Sequence, residues 1–191
     1  MTVRLHLIVP ALTPGARHGL VGAGDGLARD GKDAVLRCAH PWPVELKATC
    51  APEPACVETA SLLGLHATVD PGLHDWNLGA WAGRSLTQIA ATSPQDLEEW
   101  MTDPDFTGHG GESLQRLRAR AADWLDQRET AGDPRLVAVA SVAVVRAILL
   151  SIMDAPATTF WRLDLEPVSS IHVSLQPGRR AVRWPRPTGT R

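Results

Sequence analysis

The sequence predicts an α/β protein, a three-layer α/β/α sandwich around a mostly parallel sheet. Three observations carry that reading. Short, mainly apolar runs, such as residues 3–9 "VRLHLIV" and 135–141 "RLVAVAS", have the pattern of strands covered on both faces. Longer segments with helical spacing or helix-boundary signals alternate with them. Apart from the last two strands, no two strands follow one another directly, which calls for crossover connections and parallel pairing.

Taken in order, residues 3–9 form the first strand and residues 10–26 a loop rich in Gly and Pro. Residues 27–39 can form a helix, which Gly31 weakens. "HPWP" is a turn. "VELKATC" (44–50) is the second strand, and residues 52–64 begin with prolines and stop at Gly64, as a helix does. "HATVD" is a short third strand. Residues 85–93 and 94–101 read as helices, with Ser93 before Pro94 as an N-cap and a first-turn proline. In residues 112–129, Leu114, Leu117, Ala121 and Trp124 recur at helical spacing. The strand 135–141 passes at once into the apolar helix "VAVVRAILLSIM", and "SSIHVSL" and "RAVRW" close the sheet.

With 191 residues, the chain suits one domain, 1–191, with a sizeable core. A net charge of −2 gives no sign of a nucleic-acid or membrane-surface partner. The arginines between 179 and 191 read as a solvated end. No signal pattern or span-length apolar run is present, so a soluble cytoplasmic protein is expected. Cys38, Cys50 and Cys56 are too few and odd in number for a disulfide framework. With His40 they lack the C-x-x-C pair of a zinc site, so neither metal nor cofactor is expected. Residues 22–26 "GAGDG" are not a nucleotide fingerprint.

In sheets of this kind, ligands sit beyond the carboxyl ends of the strands. That places the candidate site at residues 10–13, 50–54, 70–77 and 141–144. There the chain resembles the histidine phosphatase, or phosphoglycerate mutase-like, superfamily. "LARDG" (27–31) is similar to the family's Leu-Thr-Glu-Leu-Gly helix start, and "APEPACVETASLLG" to its Ser-Pro-x-x-Arg-x-x-Gln-Thr-Ala segment. "LHDWNLGAWAGRSLTQIA" resembles its Leu-x-Glu-x-x-x-Gly-x-Trp-x-Gly block, and "HGGESLQRLRARAADWL" its Gly-Gly-Glu-Ser helix. "LVAVASVAVVRAIL" is similar to the strand ending in Ser-His-Gly-Gly-Val-x-Arg. The five segments occur in order over nearly the whole chain.

The resemblance implies a phosphohistidine mechanism. One histidine attacks phosphorus, a second histidine and two arginines surround the transferring group, and a carboxylic acid protonates the leaving oxygen. Aligned residue by residue, most of these groups are replaced. Val9 stands at the first arginine and Pro10 at the nucleophilic histidine. Ala55 stands at the second arginine, Ser141 at the second histidine, and Val142 and Ala143 at its glycines. Asp75 keeps the acid. A phosphate dianion would lose its hydration in such a pocket without compensating charge. The resemblance therefore implies a degenerate member, a pseudophosphatase binding a small molecule or a protein partner. A second reading is a repurposed enzyme using Asp75 as acid or base on a less anionic, apolar biosynthetic intermediate, in a cyclisation, isomerisation or elimination.

Arg17-His18-Gly19 repeats the family's opening triplet, but eight residues late, inside the loop. The register set by residues 27–31 makes it a decoy. If the loop folds back, Arg17 reaches the pocket and His18 sustains residual phosphatase activity. Asp75 can also be a structural carboxylate closing a turn, and Ser141, at a strand end before a helix, has the placement of a nucleophile without an identifiable base. His74 reads as a surface histidine and Glu112 as a carboxylate favouring a helix start. Among seven tryptophans, Trp76 and Trp81 are expected to line an apolar pocket, and Trp100, Trp124 and Trp161 to serve packing.

Overall fold

A computed structural model describes residues 2–39, 41–43 and 46–183. It contains a six-stranded sheet in the order β3-β2-β4-β1-β5-β6. The strands are β1 (Val3–Ile8), β2 (Lys47–Cys50), β3 (Ala67–Val69), β4 (Arg135–Val139), β5 (Ser170–Gln176) and β6 (Arg179–Arg183). The first four pair in parallel, and β5 and β6 antiparallel, the hairpin expected of two strands joined by a tight turn. The helices are α1 (Pro14–Arg17), α2 (Arg29–Cys38), α3 (Pro54–Leu62), α4 (Leu86–Thr92), α5 (Pro94–Thr102), α6 (Leu114–Ala131) and α7 (Val142–Met153). They make a three-layer α/β/α sandwich, with α2 packed on α3 and α6 on α7.

The central strands explain why the sheet needs two covering layers. In β4, Leu136, Val137, Ala138 and Val139 are all buried, so both of its faces are covered. The α7 run is apolar almost all round, and seven of its twelve residues are buried, as a helix between sheet and neighbours requires. Leu114, Leu117, Ala121 and Trp124 form the buried stripe of α6.

Several boundaries differ from the sequence reading for local reasons. Residues 10–26 are not wholly loop: Thr13 accepts from the Ala16 N–H and Pro14 fills the first position, which is enough for the short α1. The α4 helix has a full capping box, Ser85 with Gln88. Ser93 precedes Pro94 as expected, but its side chain makes no capping bond. His40, the first two residues of the second predicted strand (Val44 and Glu45), Trp184 and the rest of the basic end lie outside the described residues.

One row of the sheet sets the site. Ile8, Val139, Cys50 and Val69 are register partners across β1, β4, β2 and β3. The four parallel strands therefore end level, and the segments that follow them leave from one edge. Backbone bonds continue the row by one step: Ala140 N–H to Ile8 C=O, Ala51 N–H to Val139 C=O and Asp70 N–H to Cys50 C=O.

Candidate active site and ligand cavity

Beyond this edge lies a cavity of about 320 Å³. Val9 and Pro10 leave β1 into it, Ala55 comes from the first turn of α3, and Ser141, Val142 and Ala143 from the β4–α7 junction. Asp75 and Trp76 enter from the segment after β3. These eight positions are brought together from four strand ends. Arg17 and His18 are not. Neither lines the cavity, although Ala16 and Leu20 on either side do. Arg17 pairs with Asp30 of α2, and the exposed His18 points its Nδ1 at the Pro14 carbonyl 2.8 Å away. The α1 turn holds both side chains outward, which corrects the expectation that Arg17 lines the pocket if the loop folds back.

Asp75 is the most heavily constrained group. Its Oδ1 accepts from the Trp76 N–H at 2.7 Å and from the Ser141 hydroxyl. Burial pushes its carboxyl above the ordinary carboxylate range, against these two hydrogen bonds, and nearby Glu53 pushes the same way. Ser141 also caps α7, accepting from the Val144 N–H at 3.4 Å. The Ser141 hydroxyl thus joins the start of α7 to the Asp75 carboxyl.

Glu53 was not singled out by sequence. It stands at the N-cap of α3 yet makes no capping bond. Its Oε1 instead accepts from the Asp75 N–H at 2.7 Å, 22 residues away, while its Oε2 is buried with no hydrogen-bond partner. The charged residues lining the cavity are Asp25, Glu53, Asp75 and Arg146, and no histidine lines it among the described residues. Arg146 donates from Nε to the Leu163 carbonyl at 2.6 Å and lies 5.6 Å from the Phe160 ring. Cys56 also lines the cavity, and burial, then Glu53, push its thiol above the usual value, away from the thiolate form.

The aromatic wall also differs from expectation. Trp76 lines the cavity, but Trp81 packs on Trp100, Phe106 and the buried His109 instead. Trp100 of α5 and Trp161 of the 3-10 stretch Ala157–Arg162 do line it, with Phe160. Trp124 donates to Asp70 and stays in packing.

A second layer fixes the 72–80 segment. Arg120 of α6 binds both carboxylate oxygens of Glu112, at 3.0 and 2.9 Å, and donates to the carbonyls of Gly72 and His74. Glu112 is therefore an ion-pair partner and not a helix-start carboxylate. His74 is half-buried, with its Nδ1 on the Asp75 carbonyl. Two backbones meet beside it: Ala80 N–H binds His109 C=O at 2.8 Å, and Glu112 N–H binds Asn77 C=O at 2.7 Å. A Cβ on Gly79 would lie 2.3 Å from the His109 oxygen, and one on Gly111 2.1 Å from the Asn77 oxygen. This close approach is why "NLGAW" and "HGGES" need glycine at those places.

Among the described residues, no cluster of three or more His, Cys, Asp and Glu could hold a metal ion, and no helix is long and apolar enough to cross a membrane.

Comparison with known proteins gives a consistent picture. Residues 34–186 match the family model described as histidine phosphatase superfamily (branch 1). The match begins downstream of Val9, Pro10 and His18. A bifunctional protein of Mycobacterium tuberculosis is 30% identical over 135 residues, covering 70% of this chain. The chain's match spans only 37% of that relative's length. Among solved structures, a Bacillus stearothermophilus protein, YhfR, aligns with a TM-score of 0.84 at 18% identity, covering 94% of this chain and 95% of the other. A putative alpha-ribazole-5'-P phosphatase of Escherichia coli aligns with a TM-score of 0.83 at 18% identity, covering 95% and 94%. At such identities the likeness is one of fold.

Proposed function

The chain belongs to the histidine phosphatase superfamily (branch 1), and from that premise we propose that it is a catalytically degenerate member. It binds a small molecule or a protein partner at the strand-end cavity and performs no phosphohistidine chemistry. The observation that carries this reading is the make-up of the cavity wall. Its charged residues are three carboxylates and one arginine, and that arginine is engaged with Leu163 and Phe160. Transfer of a phosphoryl group needs the opposite, positive charge and N–H donors around the anion. Nothing among the lining residues supplies a nucleophilic imidazole.

A second reading keeps chemistry at the site. Asp75, its carboxyl raised by burial and bound to the Ser141 hydroxyl, has the environment of a general acid or base. On this reading the chain is a repurposed enzyme acting on a less anionic, apolar biosynthetic intermediate, with the proton moving at Asp75.

The test is an assay of the purified chain with p-nitrophenyl phosphate beside Asp75→Asn and His18→Ala. Turnover at background in all three is expected. Turnover abolished by His18→Ala and kept in Asp75→Asn would restore a phosphatase working through the α1 loop and overturn the proposal. The second reading is favoured if any cyclisation, isomerisation or elimination substrate is turned over by the wild type and lost in Asp75→Asn.

A further inference from the structure

We propose that the strand-end cavity takes an apolar organic amine, with its ammonium against the carboxylates of Glu53 and Asp75 and its body against an aromatic wall. The inference rests on the reading of this cavity as a small-molecule site, and it names the ligand class.

The first support is charge. Asp25, Glu53 and Asp75 share the cavity with one cation, Arg146. That cation faces the 160–164 stretch, through its bond to the Leu163 carbonyl and its place over the Phe160 ring, with Asp164 its electrostatic neighbour. Nearby basic groups are committed elsewhere: Arg120 to Glu112, Arg17 to Asp30 and Lys32 to Glu58. Arg120 is an electrostatic neighbour of Asp75, but its hydrogen bonds go to Glu112 and the carbonyls of Gly72 and His74, and no lysine or arginine among the described residues forms an ion pair with Glu53 or Asp75.

Hydrogen bonding points the same way. Glu53 spends Oε1 on the Asp75 N–H, and its Oε2 is buried without a donor. A buried acceptor left unmade is costly, and a carboxylate oxygen more so. An ammonium brings three N–H donors and a positive charge, which both acids accept. A ligand anion would instead add to the repulsion between them.

The third support is the wall. Trp76 lies 5.1 Å from Trp100, 5.4 Å from Phe160 and 6.1 Å from Trp161, centroid to centroid, and Trp100 and Trp161 meet at 4.6 Å. All four rings line the cavity, and Trp161 is the partly exposed one. Aromatic faces are negative and attract cations, and they also bury an apolar body. Together, acids and rings suit a molecule that is positive at one end and apolar at the other.

The experiment titrates the full chain with 2-phenylethylamine, 2-phenylethanol and 3-phenylpropionate at neutral pH, read by tryptophan fluorescence and calorimetry. The amine is expected to bind tighter than the alcohol by about tenfold or more, with the carboxylate weakest. In Glu53→Gln, which keeps an acceptor for the Asp75 N–H, the amine should lose about tenfold and the alcohol nothing. Trp161→Ala should weaken both, which locates them at the wall. An amine that binds no tighter than the alcohol, or that ignores both substitutions, overturns the inference while leaving a small-molecule site standing. Tightest binding by the carboxylate overturns both the inference and the reading of the cavity wall as unfavourable to anions. Binding of none of the three removes both the amine and the small-molecule reading, and a partner protein is then left. The ligand comparison on the wild type decides the matter even if a variant does not fold.

Discussion

The α1 loop and the strand-end cavity invert one another. The loop has the residue types of a phosphate site, Arg17, His18 and Gly19, and holds them on the surface. The cavity has the place of such a site and is lined by Val9, Pro10, Ala55, Ser141, Val142 and Ala143. On the proposed reading, position at the end of parallel strands, and not a tripeptide, makes the site. At the strand ends, four segments converge because Ile8, Val139, Cys50 and Val69 end in one row. At α1, a single turn of helix meets solvent, and its charges find only Asp30 and a local carbonyl.

Glycine substitutions give the sharpest contrast. Gly79→Ala or Gly111→Ala drives a Cβ into the facing backbone and should destabilise the fold by about 3 kcal/mol or more, seen in urea unfolding. Gly19 has a φ of +66° and open space around it, so Gly19→Ala costs only the left-handed strain, about 1–2 kcal/mol. Equal losses at the two places would break the comparison.

Next in size is Arg120→Met. It leaves the mostly buried Glu112 carboxylate and the carbonyls of Gly72 and His74 without their donor. A loss of about 2–4 kcal/mol is expected, with fluorescence showing movement of Trp76, whose Nε1–H is held by the Glu112 carbonyl. An unchanged melt would mean that the cavity floor does not depend on this clamp.

Asp75→Asn acts through pH. The folded carboxyl is raised above its ordinary value, so the folded state holds this proton to higher pH than the unfolded chain. Its contribution to stability is complete below the unfolded value and is lost as pH rises towards the folded value. Asparagine does not titrate and keeps an acceptor for Trp76 and Ser141. The variant should gain on the wild type as pH rises from acid to neutral, followed by urea melts at a series of pH values. A gap that widens towards acid would show that Asp75 is stabilised as the anion.

The smallest effect belongs to the triplet itself. His18→Ala should shift stability by less than about 0.5 kcal/mol. A larger loss would make the α1 surface structural and weaken the contrast with the cavity.

Local pattern in the chain was enough for the α/β layering, the order of elements and the strand-end position of Val9, Pro10, Ala55, Asp75 and Ser141. Those follow from period, breakers and the rule that parallel strands share an edge, which are properties of neighbouring residues. The motif order also foretold the family. Which side chains meet at that edge was settled by packing. Glu53 looks in sequence like an ordinary residue between two prolines, and it becomes part of the site because Asp75, 22 positions on, offers it an N–H. Trp100 and Trp161 have nothing in their spacing that separates packing from lining, and Trp81 nothing that turns it away. Arg17 is drawn outward by Asp30 across the α1–α2 connection. Periodicity records that a side chain is buried or exposed, but a partner is chosen by the packing of elements distant in the chain, and that choice exists only once the sheet has formed.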